Sequence, residues 1–246
     1  MNHLFSFANL KKAFRSPRVA LSYLWGVLWY KLGLQIPASQ FWEDLILSYL
    51  IPKKKGFYVD IGANDPCMGN NTYLFHTRWW SGITIEPNKR LHAIIAKRRK
   101  WAINLNLAVW KKGTLRYYEL DAHGMSTCDE SVRDMYVSKW HTVTNTYETP
   151  VEPLSSIFDQ YLWWNSIDVL SVDVEWMDME VLCSNNWEKY KPSYIVVETL
   201  IYKGDGTPWK RDDEKYTTYL AQYGYTPIAN TYVNTIYQLN TSHEHE

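Results

Sequence analysis

The chain has 246 residues, 46% hydrophobic and 21% charged, a balance that excludes a disordered chain and suits one sizeable α/β domain with an appendage. Its 26 basic and 26 acidic side chains cancel, so no global field draws it to nucleic acid, and no nucleic-acid partner is expected. Three scattered cysteines, Cys67, Cys128 and Cys183, lack any CxxC or Cys/His spacing; a disulfide framework is not expected, and a reducing cytoplasm fits best.

The charge is nonetheless uneven. Residues 1–55 hold eight Lys or Arg against two acids, whereas the remainder holds 18 against 24. Lys11, Lys12, Arg15 and Arg18 precede an apolar stretch, Val19–Tyr30, that is too short to span a bilayer and has no small-residue cleavage site after it. The favoured reading is a helix packed on the main domain. The alternative is a helix lying in a membrane interface, with Trp25, Trp29 and flanking lysines as anchors. "SQFWEDLILSYL" (39–50) reads as a second helix capped by Ser39, and "PKKKG" (52–56) breaks it. Those lysines are either solvated or in contact with phosphate or a membrane. Residues 1–55 therefore form a helical, basic and aromatic extension through which a peripheral membrane contact, at the inner face of a membrane, stays open.

From residue 56 strands and helices alternate. "GFYVDIG" is a buried strand, "NNTYLFHTRW" a short helix, "SGITIEP" a second strand and "NKRLHAIIAKRRK" a basic amphipathic helix. "WAINLNLAVW" is a third strand, and "GTLRYYEL" a further strand, antiparallel or peripheral. Residues 121–150 are polar and match no template. "LSSIFDQYLWW" is a helix, "IDVLSVDVE" an apolar strand, "MDMEVLCSNNW" a helix, "PSYIVVETL" a strand and "DDEKYTTYLAQYG" a helix ended by Gly224. "YTPIANTYVNTIYQLN" forms two strands about a turn at Val233–Asn234, and residues 241–246 are a frayed tail. The alternation predicts an α/β fold with a doubly wound, mostly parallel sheet over residues 56–240.

In such sheets ligands sit beyond the carboxyl ends of the strands. Those ends carry Asp60-Ile61-Gly62-Ala63-Asn64-Asp65, then Glu86, then Asn106 to Val109, then Asp173-Val174-Glu175, then Glu198. A carboxylate at the end of strand two, facing a glycine loop after strand one, can accept both hydroxyls of a ribose. The loop has one glycine and added acids in place of GxGxxG. Asp60 and Asp65 would repel a pyrophosphate but suit a cationic sulfonium, so S-adenosylmethionine is preferred over NAD.

The segments "FYVDIGANDP", "NNTYLF", "WWSGITIEPN", "LNLAVW", "IDVLSVDVEWMDMEVL" and "YIVVET" together resemble the FkbM-type family of S-adenosylmethionine-dependent methyltransferases, in order from about residue 56 to 199. The resemblance implies a seven-stranded Rossmann-like sheet with an antiparallel last strand, and O-methylation of a sugar or glycan hydroxyl, with lipid-linked and surface polysaccharides among the acceptors. It implies that Asp60, Gly62 and Asn64 hold the methionine part of the cofactor, that Glu86 binds its ribose, that Asn106 and Ala108 border the adenine, and that Asn71 and Thr72 form a pair near the cofactor. The family pattern Asp-x-Glu-Gly-x-Glu reads here Asp173-Val174-Glu175-Trp176-Met177-Asp178. Trp176 would either close the space a glycine leaves or offer a stacking face for a sugar.

Methyl transfer needs a base for the acceptor hydroxyl. Asp173 and Glu175 are the candidates, placed on one face by strand parity and raised in pKa by their proximity. Glu198 is a further acceptor-side candidate, as are His123 and Ser126 in the unassigned segment, read as a lid. A divalent metal on Asp173, Glu175 and Glu198 is chemically allowed but not expected. Two other classes stay open: a different nucleotide-dependent sugar enzyme, and a non-catalytic binding protein on a degenerate methyltransferase fold.

Overall fold

A computed structural model describes residues 37–162, 166–201 and 210–240. The apolar stretch Val19–Tyr30 and the tail 241–246 lie outside the described residues. In chain order the elements are α1 (Glu43–Leu50), β1 (Phe57–Ile61), α2 (Tyr73–Thr77), β2 (Ser81–Ile85), α3 (Lys89–Arg98), β3 (Ile103–Leu105), β4 (Ala108–Val109), β5 (Gly113–Leu120) and a 3-10 turn (His123–Met125). There follow α4 (Glu130–Ser138), β6 (Val143–Glu152), α5 (Leu154–Tyr161), β7 (Val169–Val172), α6 (Asp178–Cys183) and β8 (Tyr194–Glu198). The short β9 (Leu200–Ile201) and β10 (Lys210–Arg211), α7 (Asp213–Ala221), β11 (Tyr225–Asn230) and β12 (Asn234–Leu239) complete the described chain.

Seven strands form the main sheet in the order β11-β12-β8-β7-β1-β2-β3. β8, β7, β1, β2 and β3 run parallel, and the last strand, β12, is antiparallel to both of its neighbours. Strand order reverses between β1 and β7, which puts the crevice of a doubly wound sheet at their carboxyl ends. The expected α/β sheet, mostly parallel with an antiparallel last strand, is the observed one.

All five residues of β1 are buried, as for a central parallel strand covered on both faces. Val59 and Ile61, with Ile83, Ile85, Leu170, Val172, Ile195 and Val197, pack against α5, α6 and α7 through Leu154, Phe158, Leu182 and Leu220. Tyr58, Val169, Val196 and Ile236 face the other way, onto Leu47 and Ile51 of the α1 segment and Phe75 beside Trp80. Asp60 and Ser171 share the parity of Tyr58 and Val169, so both point to this second, helix-covered face.

Three local expectations need correction. The segment "WAINLNLAVW" is two strands: β3 in the main sheet, and β4 in a second sheet ordered β4-β6-β5. Asn106 breaks it, because its side-chain amide donates to the carbonyls of Glu86 (2.8 Å) and Pro87 (3.0 Å) and so turns the chain. The strand over "IDVLSVDVE" stops at Val172, ahead of both acids. Helix α1 starts at Glu43, with Trp42 at its N-cap in a left-handed conformation (φ 76°); Ser39 still serves it, accepting the Asp44 amide at 3.3 Å from outside the helix. The further strand "GTLRYYEL" is β5, antiparallel to β6 and outside the main sheet, as expected. Among the described residues no helix is long and apolar enough to cross a membrane.

Candidate active site

The turn after β1 is pressed between its neighbours. The amides of Gly62 and Ala63 donate to the Ile85 carbonyl at 2.9 and 3.2 Å, and the Asp173 amide donates to the Ile61 carbonyl at 3.0 Å. Gly62 has φ 79°, and a Cβ there would lie 1.8 Å from the Asp173 carbonyl oxygen. Only glycine permits this approach. Asn64, also left-handed at φ 44°, turns its amide onto Glu86 Oε2 at 2.8 Å. The Asn88 amide donates to Glu86 Oε1 at 2.8 Å, and Asn88 in turn caps α3 through the amides of Arg90 and Leu91. Glu86 is thus held by one backbone donor on each oxygen, with lone pairs to spare. It is buried, and burial pushes its carboxyl up to about 7. Beside it Leu91, Leu107, Ala108, Val109, Leu115 and Tyr117 give one side of the cleft an apolar lining.

The other end of the same cleft is acidic. Asp173, Glu175 and Glu198 line it, and none of the described lining residues is Lys or Arg. Burial and the surrounding carboxylates, Asp173 first, raise Glu198 well above the ordinary range, so this crowded pair of acids favours holding a proton. Asp173 is raised less, to about 6, by burial and by Asp60. Glu175 is raised well above the ordinary range by burial and then by Asp173, and Tyr136 donates to its Oε2 at 3.2 Å. Asp178 at the start of α6 accepts the Val174 amide at 3.1 Å and is pushed to about 7 by burial. Among the described residues no group of three His, Cys, Asp or Glu converges closely enough to hold a metal ion.

A family model, the methyltransferase FkbM domain, matches residues 60–227, well over half of the chain. The chain belongs to the FkbM methyltransferase family. No curated protein is a significant match to it.

The FkbM domain does not bring all the anticipated residues to its cleft. Gly62, Asn64, Glu86, Ala108, Asp173, Glu175, Glu198 and Ser126 line it. Asp60, Asn71, Thr72, Asn106 and Trp176 do not. Asp60 Oδ2 accepts from Asn70 (2.9 Å), Thr72 (2.7 Å) and Arg99 (3.1 Å) on the helix-covered face. The Asn71 amide reaches Ser171 at 3.1 Å on that face too. These residues hold the loop 65–72, which sends Met68 and Gly69 to the cleft rim. The reason that Asp173 and Glu175 share the cleft is not strand parity. Beyond Val172 the chain turns through two successive left-handed residues, Glu175 (φ 55°) and Trp176 (φ 84°).

The unassigned segment becomes a wall. Residues 126–128 fold back on β5 through paired hydrogen bonds between Tyr118 and Thr127 (2.9 and 3.1 Å), and Ser126 Oγ accepts the Leu120 amide at 3.1 Å. Gly124, Ser126, Thr127 and Cys128 thereby line the cleft; the side chain of His123 lies outside the described residues. Trp176 packs on Leu120, Val132 and Tyr136 beneath this wall. Sequence reasoning missed Leu91, Tyr117, Tyr136 and Arg99. A signal for Arg99 existed: at the C-cap of α3 it follows Leu91 and Ile95 at four-residue steps, in line with that helix's buried stripe.

Proposed function

We propose that the protein is an S-adenosylmethionine-dependent O-methyltransferase acting on a hydroxyl of a sugar or glycan. The observation that carries this reading is Glu86: a buried carboxylate at the end of β2, each oxygen held by one backbone amide, next to a glycine turn that leaves no room for a Cβ. These residues fit the cofactor. Glu86 would accept both ribose hydroxyls through its remaining lone pairs, the Gly62 turn, drawn tight against Asp173, would line the methionine portion, and Ala108, Leu107 and Leu91 would pack on the adenine. The acid-lined end suits a sulfonium and repels a pyrophosphate. When bound, S-adenosylmethionine supplies an electrophilic methyl group.

The remaining chemistry belongs to this chain. An acceptor hydroxyl beside the acid cluster hydrogen-bonds to a carboxylate and gives up its proton as its oxygen takes the methyl. Asp173, raised less than Glu198, takes the role of base, and Glu198 beside it takes the role of the protonated partner that steadies its charge. Glu175, held by Tyr136, is the second acceptor-facing carboxyl. The neighbouring polar wall of Ser126 and Thr127 supplies hydroxyl partners suited to a polyol.

Calorimetric titration with S-adenosylmethionine and NAD, joined to a glycan-acceptor screen read by mass spectrometry, tests this. Binding of the first without the second, and a gain of one methyl on a sugar, are expected. Glu86→Ala is expected to abolish cofactor binding, whereas Asp173→Ala binds normally and loses about 10²–10⁴-fold in turnover. Normal binding by Glu86→Ala would remove the basis of the assignment.

A further inference from the structure

The edge of the main sheet opposite the cleft carries a different surface. Lys53–Lys55 precede β1, Trp79 precedes β2, and Lys100 and Trp101 precede β3. The parallel register pairs Phe57 with Ser81 and Ile83 with Ile103, which sets these three loops side by side. Trp79 is 69% exposed and Trp101 47%. Trp101 is sandwiched between the Trp79 ring (4.8 Å, 19°) and the buried His76 ring (4.4 Å, 12°). Trp79 is held in a left-handed conformation, φ 65°, which an aromatic residue adopts only at a steric cost. Helix α1 packs on α2 and ends at the same edge, adding Tyr49, 87% exposed.

The charge there has one sign. Lys54, Lys55 and Lys100 are exposed, and the three loops contain no acid. A carboxylate beside these loops, Asp168 ahead of β7, is buried and already occupied by Lys53 at 2.5 Å and the Phe57 amide at 2.9 Å. Exposed indoles ringed by lysines match the boundary between anionic headgroups and acyl chains, where amphipathic rings and snorkelling ammonium groups are both at ease. Both faces of Trp101 are spent on its neighbours, and a neutral sugar or a nucleobase would leave the lysines unused. We infer that this edge docks the protein onto a membrane rich in anionic phospholipid, with Trp79 and Trp101 entering the headgroup layer and Lys54, Lys55 and Lys100 contacting phosphates. The cleft, at the opposite ends of the strands, then opens toward water.

Co-sedimentation of the full chain with phosphatidylserine–phosphatidylcholine vesicles, against phosphatidylcholine alone, tests this. The full chain should bind only the anionic vesicles. Neutralising Lys54, Lys55 and Lys100 together with glutamine should weaken binding about a hundredfold, at about fivefold per charge. Trp79→Ser should weaken it about tenfold, with Trp101 and its stack on His76 left in place. Glu86→Ala should bind vesicles as the wild type does. Both surface variants should keep the thermal midpoint of the parent, which separates lost docking from lost folding. Three results overturn the inference: no binding to anionic vesicles, binding by the surface variants equal to the parent, or a loss on charge removal that Trp79→Ser does not share, which marks a simple polyanion site.

Discussion

Asp60 and Asp173 belong to adjacent parallel strands or their ends, β1 and β7, yet among the described residues only Asp60 meets a cation. On the helix-covered face Asp60 is buried against the fully buried guanidinium of Arg99 and takes two further hydrogen bonds, from Asn70 and Thr72. On the cleft face Asp173 has Glu175, Glu198 and Asp178 for company, and among the described residues no arginine or lysine lines the cleft beside it. Folding alone explains the first arrangement and disfavours the second. Uncompensated acid gathered in one cleft is a cost that a bound cationic ligand and a proton-accepting reaction can justify. Removing the cation sharpens the contrast most. Arg99→Ala leaves Asp60 buried and unpaired and should cost about 3–5 kcal/mol in chemical denaturation. Asp173→Asn, which removes charge where charge is unwelcome, should stay within about 1 kcal/mol of the parent or exceed it. Equal losses in the two variants would erase the distinction.

The same contrast has a pH signature. Burial pushes Asp178 and Glu86 up to about 7 and raises Asp173 as well, because it favours the neutral acid. Between about pH 4 and 7 the folded protein therefore holds protons that the unfolded chain has released. The stability these groups contribute is full at the acid end and is lost as pH rises through 6 to 7. The ligand-free protein should melt about 5 °C or more lower at pH 8 than at pH 5.5. Asp178→Asn keeps an oxygen for the Val174 amide but cannot titrate, so it should flatten part of that fall. A cofactor that needs Glu86 ionised should bind more weakly below pH 7, which calorimetry at two pH values would register. A melting point that rises with pH over this range would mean that the cluster is solvated rather than buried.

The fold was legible because apolar runs such as "YVDI", "ITI" and "IVV" are short, bounded and interleaved with amphipathic segments, a pattern set by burial alone. Glu86 and Gly62 were legible for a related reason: a strand end has one direction, so an acid or a glycine placed there has few options. The helix-facing role of Asp60 was not, since parity around a central strand puts it on the face of Tyr58 only once both faces are known to be covered. Arg99 hid in "KRRK", where composition says solvent and only the four-residue stripe with Leu91 and Ile95 says otherwise. Residues 121–150 escaped because their order is non-local: the β5–β6 ladder and the Tyr118–Thr127 pair join positions far apart in the chain, and the segment carries little periodicity of its own. The link from Tyr136 to Glu175 spans 39 positions, and no local pattern could announce it.

Trp176 tests the smallest part of the contrast, the bend that carries Glu175 into the cleft. It occupies a left-handed position, φ 84°, directly after Glu175 at 55°, where the family resemblance sets a glycine. A non-glycine residue there costs about 1–2 kcal/mol, which its packing on Leu120, Val132 and Tyr136 offsets. Trp176→Ala loses the packing and keeps the strain. Trp176→Gly loses the packing and sheds the strain, at about 0.5–1 kcal/mol of added freedom in the unfolded chain. Glycine should therefore outperform alanine by about 0.5–1 kcal/mol in urea midpoints, the reverse of the order at ordinary helix or strand positions. An alanine variant as stable as the glycine variant would show that the bend relaxes once the indole is gone, and that the tryptophan imposes the turn rather than enduring it.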